Sequence, residues 1–452
     1  MFSSLSLTKL ATIRPTISIF DSSLTLGNDI DLNYDYLFID FTKKYFRTRD
    51  RSNVSDYSAG DLNNLLTYTS PSTKYVRNAS SVLVPGTTLR IDHDVSGNPI
   101  GLLIEEQKTN LVKQSEAFVL DNNPWQPISS ATATQNVVIA PDGNTTADKL
   151  IEGTSTSAHY IEQRSLTASA GIWTASCFFK AGERSKVNLV AVHVGESTAT
   201  SGAVVDVLAG TITSATGLGI SSGIQDYGNG WYRAWITYVT TAAVANHYFR
   251  LQILNNSGIP SYTGDGSSGF YIWGAQVESG YLTSYIKTTT ATVTRAADVI
   301  TLPTTVFPWS DDAGTVIVEM HDKPVNDGTA NNKRVLTFGD GTLSNHITLF
   351  QQGTSGNLIA FVATGGTNVV NTGGAWTSFP SKIGLAFADD DWSLIINGGT
   401  PITDASGLIP SEVNKLYIGN WSSGTLQPNT HIKSLLYIPE RLSNSDIQAL
   451  TA

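Results

Sequence analysis

The chain has 452 residues, a length that allows roughly three domains. Only 15% of the residues are charged, against about 25% in a typical soluble domain, and 39 glycines accompany many serines and threonines. This composition favours short strands joined by small polar turns, and the net charge of −10 argues against nucleic-acid binding, because phosphate contacts need clustered positive charge.

Cysteine content and hydropathy narrow the class further. Cys177 is the one cysteine, so neither an intrachain disulfide nor a four-cysteine zinc site can form. No apolar run reaches the roughly 18 residues of a membrane span, and the N-terminal MFSSLSLTKLATIRP lacks the apolar core of a secretory signal. We therefore expect no membrane insertion, and a surface role would need delivery on a particle or release by cell lysis.

Residues 1–44 are predicted to form a separate attachment segment. Residues 29–36 read DIDLNYDY and alternate acidic or amide with apolar side chains, the pattern of a half-buried strand. The same side chains have the oxygen-rich spacing of a calcium loop, but Tyr34 occupies the position where such a loop needs glycine. Residues 45–112 carry mixed charges and short apolar runs, so we expect a loosely structured connector that packs on its neighbours.

Residues 113–300 are predicted to form an antiparallel β-sandwich. Four segments are rich in β-branched and aromatic residues, and clusters of turn-forming residues separate them. These segments are residues 171–180, 186–193, 230–239 and 269–277. No helical pattern lies between them, which favours a sandwich over an α/β fold.

Residues 301–452 are predicted to form a second sandwich, in which the strand pattern resumes after residue 303 and ends at residues 432–438. A short helix should follow, with Ser443 as its N-cap and Asp446 as the reciprocal acid. Ile447 and Leu450 would face the core. The predicted fold class is therefore all-β, with tandem antiparallel sandwiches of the jelly-roll type after an N-terminal attachment segment.

Several phrases within residues 90–298 resemble those of bacteriophage tail-fibre and head-spike proteins. They are GLLIEEQKTNL (101–111), APDGNTTADKL (140–150), WTASCFFKAG (173–182), GWYR (230–233), GAQVESG (274–280), TSYI (283–286) and TRAAD (294–298). The resemblance implies a carbohydrate-binding-module-like jelly roll at 113–300. Residues 301–452 resemble a concanavalin-A-like or laminin-G-like sandwich, by pattern more than by wording.

The same resemblance implies a virion appendage that is made in the host cytoplasm, released by lysis and displayed on the virion surface. Its N-terminal segment would contact other virion proteins, and its sandwiches would contact host-surface glycans. Such appendages are commonly homo-oligomers, especially trimers. The resemblance does not distinguish a head fibre from a tail fibre.

The sequence offers no catalytic constellation. Glycosidases need two carboxyl groups that flank a bond, and the Glu-x-Asp-x-Glu motif of laminarinase-like sandwiches is absent. GISSG at 219–223 has the spacing of a nucleophile elbow, but no helical pattern follows it, so we expect a plain turn. Cys177 lies in an apolar strand and is predicted to be buried and inert. We therefore predict a non-enzyme with no catalytic residues and no required cofactor.

The predicted chemistry is carbohydrate binding, in which an aromatic ring stacks on the sugar and amides or carboxylates take its hydroxyls. Trp376 and Trp421 lie among glycine, serine, threonine and asparagine, where packing alone does not readily explain a large ring. We predict these two rings as carbohydrate contacts, together with Asn420. Tryptophans within strands, such as Trp235, are more readily interpreted as core.

A structural calcium is a second hypothesis. Asp142, Asn144 and Asp148 gather oxygen ligands near the Gly143 turn, and jelly-roll binding modules often hold one calcium ion. The alternative is an ordinary Asp-Gly turn.

The leading functional prediction is a phage structural protein that presents β-sandwiches to host glycans. One alternative is an architectural capsid decoration or fibre hub that binds no sugar. The other is a glycan depolymerase whose site is assembled across chains.

Overall fold

A computed structural model describes residues 35–50, 53–57, 62–120, 124–193, 200–217, 219–241, 244–325 and 331–452. Strands account for 54% of the structure and helices for 4%. Every pairing between the described strands is antiparallel, as in the pair of Tyr36 with Arg49 and the pair of Ile91 with Leu102. The predicted all-β fold is confirmed.

The first described strands come from the region that was expected to be an attachment segment and a connector. They are β1 (Tyr36–Asp40), β2 (Tyr45–Asp50), β3 (Asn53–Tyr57), β4 (Thr67–Thr69), β5 (Lys74–Arg77), β6 (Leu83–Gly86), β7 (Ile91–His93), β8 (Pro99–Ile104) and β9 (Lys108–Asn110), and the one-turn helix α1 (Leu62–Leu65) precedes β4. β5 and β6 form a separate hairpin.

The jelly-roll sandwich follows. Its strands are β10 (Trp125–Ile128), β11 (Thr132–Val138), β12 (Ala147–Ile151), β13 (Thr156–Ala168), β14 (Gly171–Lys180), β15 (Lys186–His193), β16 (Thr200–Asp206), β17 (Thr211–Thr216), β18 (Gly219–Asp226), β19 (Trp231–Thr240), β20 (Val244–Leu254), β21 (Ser261–Thr263) and β22 (Gly269–Ser279). One sheet has the order β10-β13-β20-β15-β16-β17, with β21 on β13, and the other has the order β11-β12-β22-β14-β19-β18. Alternate side chains of the two sheets fill the core between them.

Of the last strands, the first pairs with β9 in a separate two-stranded sheet, and the others complete the second sandwich. They are β23 (Val293–Arg295), β24 (Val299–Pro303), β25 (Ala313–Met320), β26 (Lys333–Gly339), β27 (His346–Gln351), β28 (Leu358–Thr364), β29 (Thr367–Gly374), β30 (Ser381–Ala388), β31 (Asp391–Ile396), β32 (Ile402–Asp404), β33 (Lys415–Ile418) and β34 (Thr430–Ile438), followed by the helix α2 (Asn444–Thr451). The Ser443 hydroxyl accepts a hydrogen bond from the Asp446 amide, and Ile447 is buried, so the predicted helix cap is confirmed.

The domain organisation differs from the predicted linear order. The second sandwich has one sheet of order β3-β2-β1-β34-β25-β30-β31-β32, with β7 and β8 attached, and one of order β29-β28-β27-β26-β33-β24-β4. Strands β1 to β4, β7 and β8 are thus part of the C-terminal sandwich, and the jelly roll is inserted between them and β24. The predicted boundary between residues 44 and 45 falls in the β1–β2 hairpin, and residues 62–112 are ordered strands and turns rather than a loose connector.

The physical reason for this difference is sequence separation. Leu37 of β1 pairs with Tyr437 of β34, so the partner that buries β1 lies at the far end of the chain. Local periodicity reports whether a strand has an apolar face but not which strand covers it. The predicted strand at 29–36 and the predicted attachment role of residues 1–34 lie outside the described residues.

A buried ion network joins the two sandwiches. The Asp298 carboxylate accepts from Lys74 Nζ at 2.5 Å and from Arg90 Nη2 at 2.6 Å. The Glu105 carboxylate accepts from Arg90 Nη1 at 2.7 Å and from Arg295 Nη1 at 3.0 Å. All five side chains are at most 3% exposed, so these ion pairs at the junction of the sandwiches are shielded from water.

Among the residues that the structure describes, no helix is both long enough and apolar enough to cross a bilayer.

Candidate functional site

A cleft of about 380 Å³ lies where the outer face of the jelly-roll sheet β18–β19 meets the second sandwich. Its walls come from the β5–β6 hairpin, from the segment after β22, and from the loops before β26 and β34. The charged, amide and aromatic side chains that line it include Arg77, Asp92, Tyr227, Trp235, Tyr281, Asp322, Asn429 and His431. The cleft therefore combines aromatic rings with charged and amide groups.

Strand β19 presents Trp235 to this cleft. Ala234 and Ile236 point into the jelly-roll core, so the alternation of the strand turns Arg233, Trp235 and Thr237 to the opposite face. The neighbouring part of that face is covered by Tyr75 and Tyr285, which pack with Phe178 and Trp273. These rings do not extend over Trp235, whose side chain is half-buried.

Gly223 determines the position of the Trp235 ring. The two residues are directly opposite each other in the β18–β19 pair. A Cβ atom built on Gly223 would lie 2.2 Å from Cζ2 and 2.6 Å from Cη2 of Trp235. The indole thus lies across the backbone of β18 in space that any larger residue would occupy. One side of the ring rests on the strand, and the ring lines the cleft as an aromatic platform.

The indole N–H of Trp235 is also free within the described part of the chain. Seven other tryptophans donate theirs to a protein acceptor, namely Trp125, Trp173, Trp231, Trp273, Trp309, Trp376 and Trp392. Tryptophans that serve only as core normally find such an acceptor. An aromatic face and an unused donor are therefore available together in the cleft.

The polar side of the cleft is organised by His431. Its Nδ1 lies 3.0 Å from Asp322 Oδ1, and its Nε2 lies 3.1 Å from Asp92 Oδ2. Burial opposes charging of the ring, but the two carboxylates outweigh it and raise the pKa of His431 to about 10. The histidine is therefore an imidazolium at neutral pH, and both ring nitrogens donate.

Arg77 and Tyr227 form a second fixed pair at this site. Arg77 Nε donates to the His93 carbonyl at 2.6 Å, and Nη1 donates to the Asp226 carbonyl at 2.9 Å. The guanidinium carbon lies 4.8 Å from the centre of the Tyr227 ring, a cation–π distance. These contacts hold the ring and the cation rigidly, which reduces the entropy that a ligand must overcome on binding.

None of the three carboxyl groups that line the cleft is suited to donate a proton at neutral pH. Burial works to raise the pKa values of Asp92 and Asp322, but their hydrogen bonds to His431 lower both below the ordinary value. Burial also opposes ionisation of Glu105, yet Arg295 and Arg90 hold its pKa well below the usual range. A glycosidase of the usual kind needs one carboxyl group with a raised pKa, and these three are held as carboxylates.

The predicted accessibility of Trp376 and Trp421 is wrong. Trp376 is 1% exposed, lies in the core of the second sandwich, and donates its N–H to Ser381 Oγ at 2.9 Å. Trp421 is 9% exposed and packs edge-on against His346. Asn420 is fully buried, where its Oδ1 accepts from the Ile300 amide at 3.0 Å. Polar neighbours in the sequence did not imply exposure, because Trp376 packs into the sandwich core and Trp421 packs against His346 and Arg334.

We expect Trp376→Ala to destabilise the protein by about 3–5 kcal/mol, the usual cost of truncating a buried tryptophan. The Trp376 ring packs against Phe379 within the core, with 5.0 Å between the ring centres, so its removal leaves a cavity. Urea unfolding followed by circular dichroism measures the effect. A change below about 1 kcal/mol would contradict the core role that burial assigns to Trp376.

The three residues of the calcium hypothesis take part in two separate sets of hydrogen bonds. Asp142 accepts from the backbone amide of Asn144 at 3.0 Å and from its side-chain amide at 2.9 Å. Asp148 is buried on β12, where its two oxygens accept from the amides of Phe118 and Asn136. In the described ranges no group of three or more His, Cys, Asp or Glu residues is arranged to hold a metal. A structural calcium stays a prediction.

Two smaller expectations have definite outcomes. Cys177 is fully buried, and burial raises the pKa of its thiol far above the ordinary value, as expected for an inert cysteine. The GISSG stretch is not a turn, since residues 219–223 lie in strand β18. Gly223, its last residue, is the one on which Trp235 rests.

Sequence reasoning missed Trp235 because both faces of β19 are rich in large residues. Strand alternation alone did not show which face meets the other sheet. The glycine at 223 would have been the available signal, since a glycine inside a strand often marks a close approach of another group.

Comparisons with known proteins add limited information. No protein-family model matches the chain, and no curated protein matches it. Among solved structures, a Ruminococcus gnavus sialidase CBM40 bound to α2,3-sialyllactose has 16% identity and a TM-score of 0.26, covering 32% of this chain and 84% of that one. Domain 4 of the Geobacillus stearothermophilus arabinanase AbnA, in complex with arabinotriose, has 13% identity and a TM-score of 0.28, covering 38% and 83%. Mouse laminin α1 domains LG4-5 have 10% identity and a TM-score of 0.21, covering 63% and 87%. At such TM-scores the likeness carries no conclusion about this chain.

Proposed function

We propose that this chain is a non-enzymatic glycan-binding protein of a bacteriophage appendage, and that the cleft around Trp235 is its binding site. The observation that carries the proposal is the half-buried Trp235 ring, which lies across Gly223 and whose indole N–H has no acceptor among the residues that the structure describes. A sugar ring stacks its C–H face on such an indole, and the N–H can donate to a hydroxyl.

The polar groups around the platform suit the rest of a sugar. The carboxylates of Asp92 and Asp322 accept hydrogen bonds from hydroxyls, and the Asn429 amide both donates and accepts. His431 fixes the two carboxylates, and Asn429 is held by the backbone amide and the carboxylate of Glu106, so all three groups are preorganised. A volume of about 380 Å³ is suited to one or two sugar residues.

The non-enzymatic part of the proposal rests on the charge state of the carboxyl groups in the cleft. All three are held ionised by His431 or by arginines, so none supplies the general acid that cleavage of a glycosidic bond needs. The described residues with raised carboxyl pKa values, Glu116 and Asp148, do not line the cleft.

The virion part of the proposal rests on the resemblance of residues 90–298 to tail-fibre and head-spike proteins. In that setting the N-terminal segment would contact other virion proteins and the chain would form a homo-oligomer, with trimers the commonest case. Multiplicity suits the function, because several weak sugar sites on one particle gain affinity through avidity.

The test uses the wild-type chain and Trp235→Ala with capsular and lipopolysaccharide chains from candidate bacterial hosts. We expect the wild type to retain one of these polysaccharides without shortening it. We expect the variant to bind about 30-fold more weakly, since truncation of a central tryptophan costs about 2 kcal/mol or more. Retention on immobilised polysaccharide and chain length by size-exclusion chromatography are read on the same samples.

The matched control is Tyr248→Ala, which removes a half-buried ring from β20 on the other sheet of the jelly roll. It should bind as the wild type does. Shortening of the chains would overturn the non-enzymatic proposal. Absence of retention on every polysaccharide would favour an architectural role, and equal retention by Trp235→Ala would exclude this cleft.

A further inference from the structure

Arg334 lies in an aromatic cluster on the second sandwich, separate from the cleft. Its guanidinium carbon is 4.7 Å from the centre of the Phe350 ring and 4.9 Å from that of Trp421. The His346 ring packs edge-on against Trp421, with 4.8 Å between the ring centres, and stacks on Phe361, with 5.7 Å between the ring centres. We call Arg334, His346, Phe350, Phe361 and Trp421 the Arg334 cluster.

The guanidinium of Arg334 has no hydrogen-bond acceptor within the described residues. Its Nε and Nη1 are buried and unpaired. Other arginines, whether exposed or buried, donate to a carboxylate, hydroxyl or carbonyl, as seen for Arg77, Arg90, Arg164, Arg184, Arg233, Arg250, Arg295 and Arg441. A buried donor without an acceptor is costly, and such a group in a folded protein calls for a ligand, ion or water.

The electrostatic surroundings favour an anion as that partner. Burial lowers the pKa of Arg334 to about 10, so the group still carries its charge at neutral pH. Burial and the nearby Arg334 lower the pKa of His346 to about 4, so the imidazole is neutral. Asp340 is the carboxylate whose field reaches His346, and it is engaged by Thr342 and Asn345. No carboxylate neutralises Arg334 in the described part of the molecule.

The rings also define how a ligand can approach. Two aromatic rings contact the guanidinium, so the groups left to bind a ligand are its N–H donors. These donors suit a planar or tetrahedral oxyanion. The Nε and Nη1 atoms are buried, but the Arg334 side chain as a whole and Phe361 beside it are half-buried, so part of the cluster meets solvent. An exposed part of an aromatic ring next to a cation fits an acidic sugar, whose ring can pack while its anionic group is held.

We propose that the Arg334 cluster binds the carboxylate or sulfate group of an acidic saccharide. This site is distinct from the cleft, which offers mainly acceptors for hydroxyl groups. A free inorganic anion shares the charge chemistry but lacks the sugar ring, so the experiment separates the two sources. The net charge of −10 disfavours general anion binding, and the local cation must therefore account for any affinity.

The test is isothermal titration calorimetry of the full chain with sodium glucuronate, sodium sulfate and neutral glucose. We expect saturable binding of glucuronate, weaker binding of sulfate and none of glucose at the same concentrations. Arg334→Gln should weaken glucuronate binding at least tenfold. Arg441→Gln removes the same charge from an arginine already paired with Asp391 on this sandwich and should leave the affinity unchanged.

Folding is checked by the circular dichroism spectrum and melting temperature of each variant. Arg334→Lys keeps the charge without the planar fork and should recover only part of the glucuronate affinity. Equal glucuronate binding by the wild type and Arg334→Gln would overturn the proposal, as would equal affinities for sulfate and glucuronate. Because Trp235→Ala should leave this binding intact, failure here and failure of the cleft are distinguishable.

Discussion

Gly223→Ala should abolish glycan retention as thoroughly as removal of Trp235, although it adds only one methyl group and leaves the indole present. The new Cβ would lie 2.2 Å from the ring, a distance that real contacts do not reach, and the three atoms nearest to it all belong to the Trp235 side chain. The ring must therefore swing away from β18. The backbone tolerates the change, because Gly223 does not have a positive φ.

Retention on the polysaccharide that the wild type binds measures this effect, and tryptophan fluorescence reports the displaced ring. Gly86→Ala is the matched control, since no atom lies within 4 Å of its added Cβ and its φ is also not positive. We expect a loss of about 30-fold for Gly223→Ala and none for Gly86→Ala. Unchanged retention in Gly223→Ala would show that the position of the Trp235 ring does not matter for binding.

Asp298→Asn should destabilise the protein by about 3–5 kcal/mol, because it leaves the buried charge of Lys74 without its counter-ion and removes one of the two carboxylates that neutralise Arg90. Asp298 accepts from Lys74, Arg90 and the Tyr68 hydroxyl, and the side chain is fully buried. The urea midpoint measures the change. Asp391→Asn, which breaks an exposed pair with Arg441, should cost less than about 1 kcal/mol.

The same carboxylate gives the wild type a defined acid sensitivity. Burial works to raise the pKa of Asp298, but Arg90 and Lys74 outweigh it and hold the pKa below the ordinary value. The unfolded chain therefore takes up this proton at a higher pH than the folded protein does. The stabilisation is complete above the unfolded pKa of about 4 and is lost as the pH falls through the lower folded pKa. In Asp298→Asn this part of the acid dependence should disappear.

Local patterns predicted the elements of the fold well. The segments 171–180 and 186–193 match β14 and β15 to the residue, and the cap at Ser443 forms as expected. These features depend on alternation and on hydrogen bonds within a few residues. The pairing of β1 with β34 depends on groups 400 residues apart, for which a single sequence carries no signal.

The candidate site was harder to predict for the same reason. Trp376 was expected to contact a carbohydrate and is core, whereas Trp235 was expected in the core and lines a cleft. The burial of each ring is determined by a distant segment that covers it or does not. Neither the glycines around Trp376 nor the strand around Trp235 contains that information.

The phrases that resemble phage appendage proteins meet at one place in the fold. Glu105 from GLLIEEQKTNL accepts from Arg295 of TRAAD and from Ser284 of TSYI, and its backbone pairs with Asp298. Asn110 donates to the carbonyls of Ala275 and Ile286. The recurring phrases thus supply residues of the junction between the sandwiches, and some of them, such as Glu105 and Ser284, also line the cleft.

The insertion of the jelly roll has a consequence for the order of folding during synthesis. The inserted sandwich has all its strands by Ser279, whereas the other sandwich lacks its central strand until Ile438 has been made. On the ribosome β1 and β8 must therefore wait for β34 while the jelly roll is already complete. For that interval their apolar faces are uncovered, and neighbouring nascent chains could pair with them before their own final strand arrives.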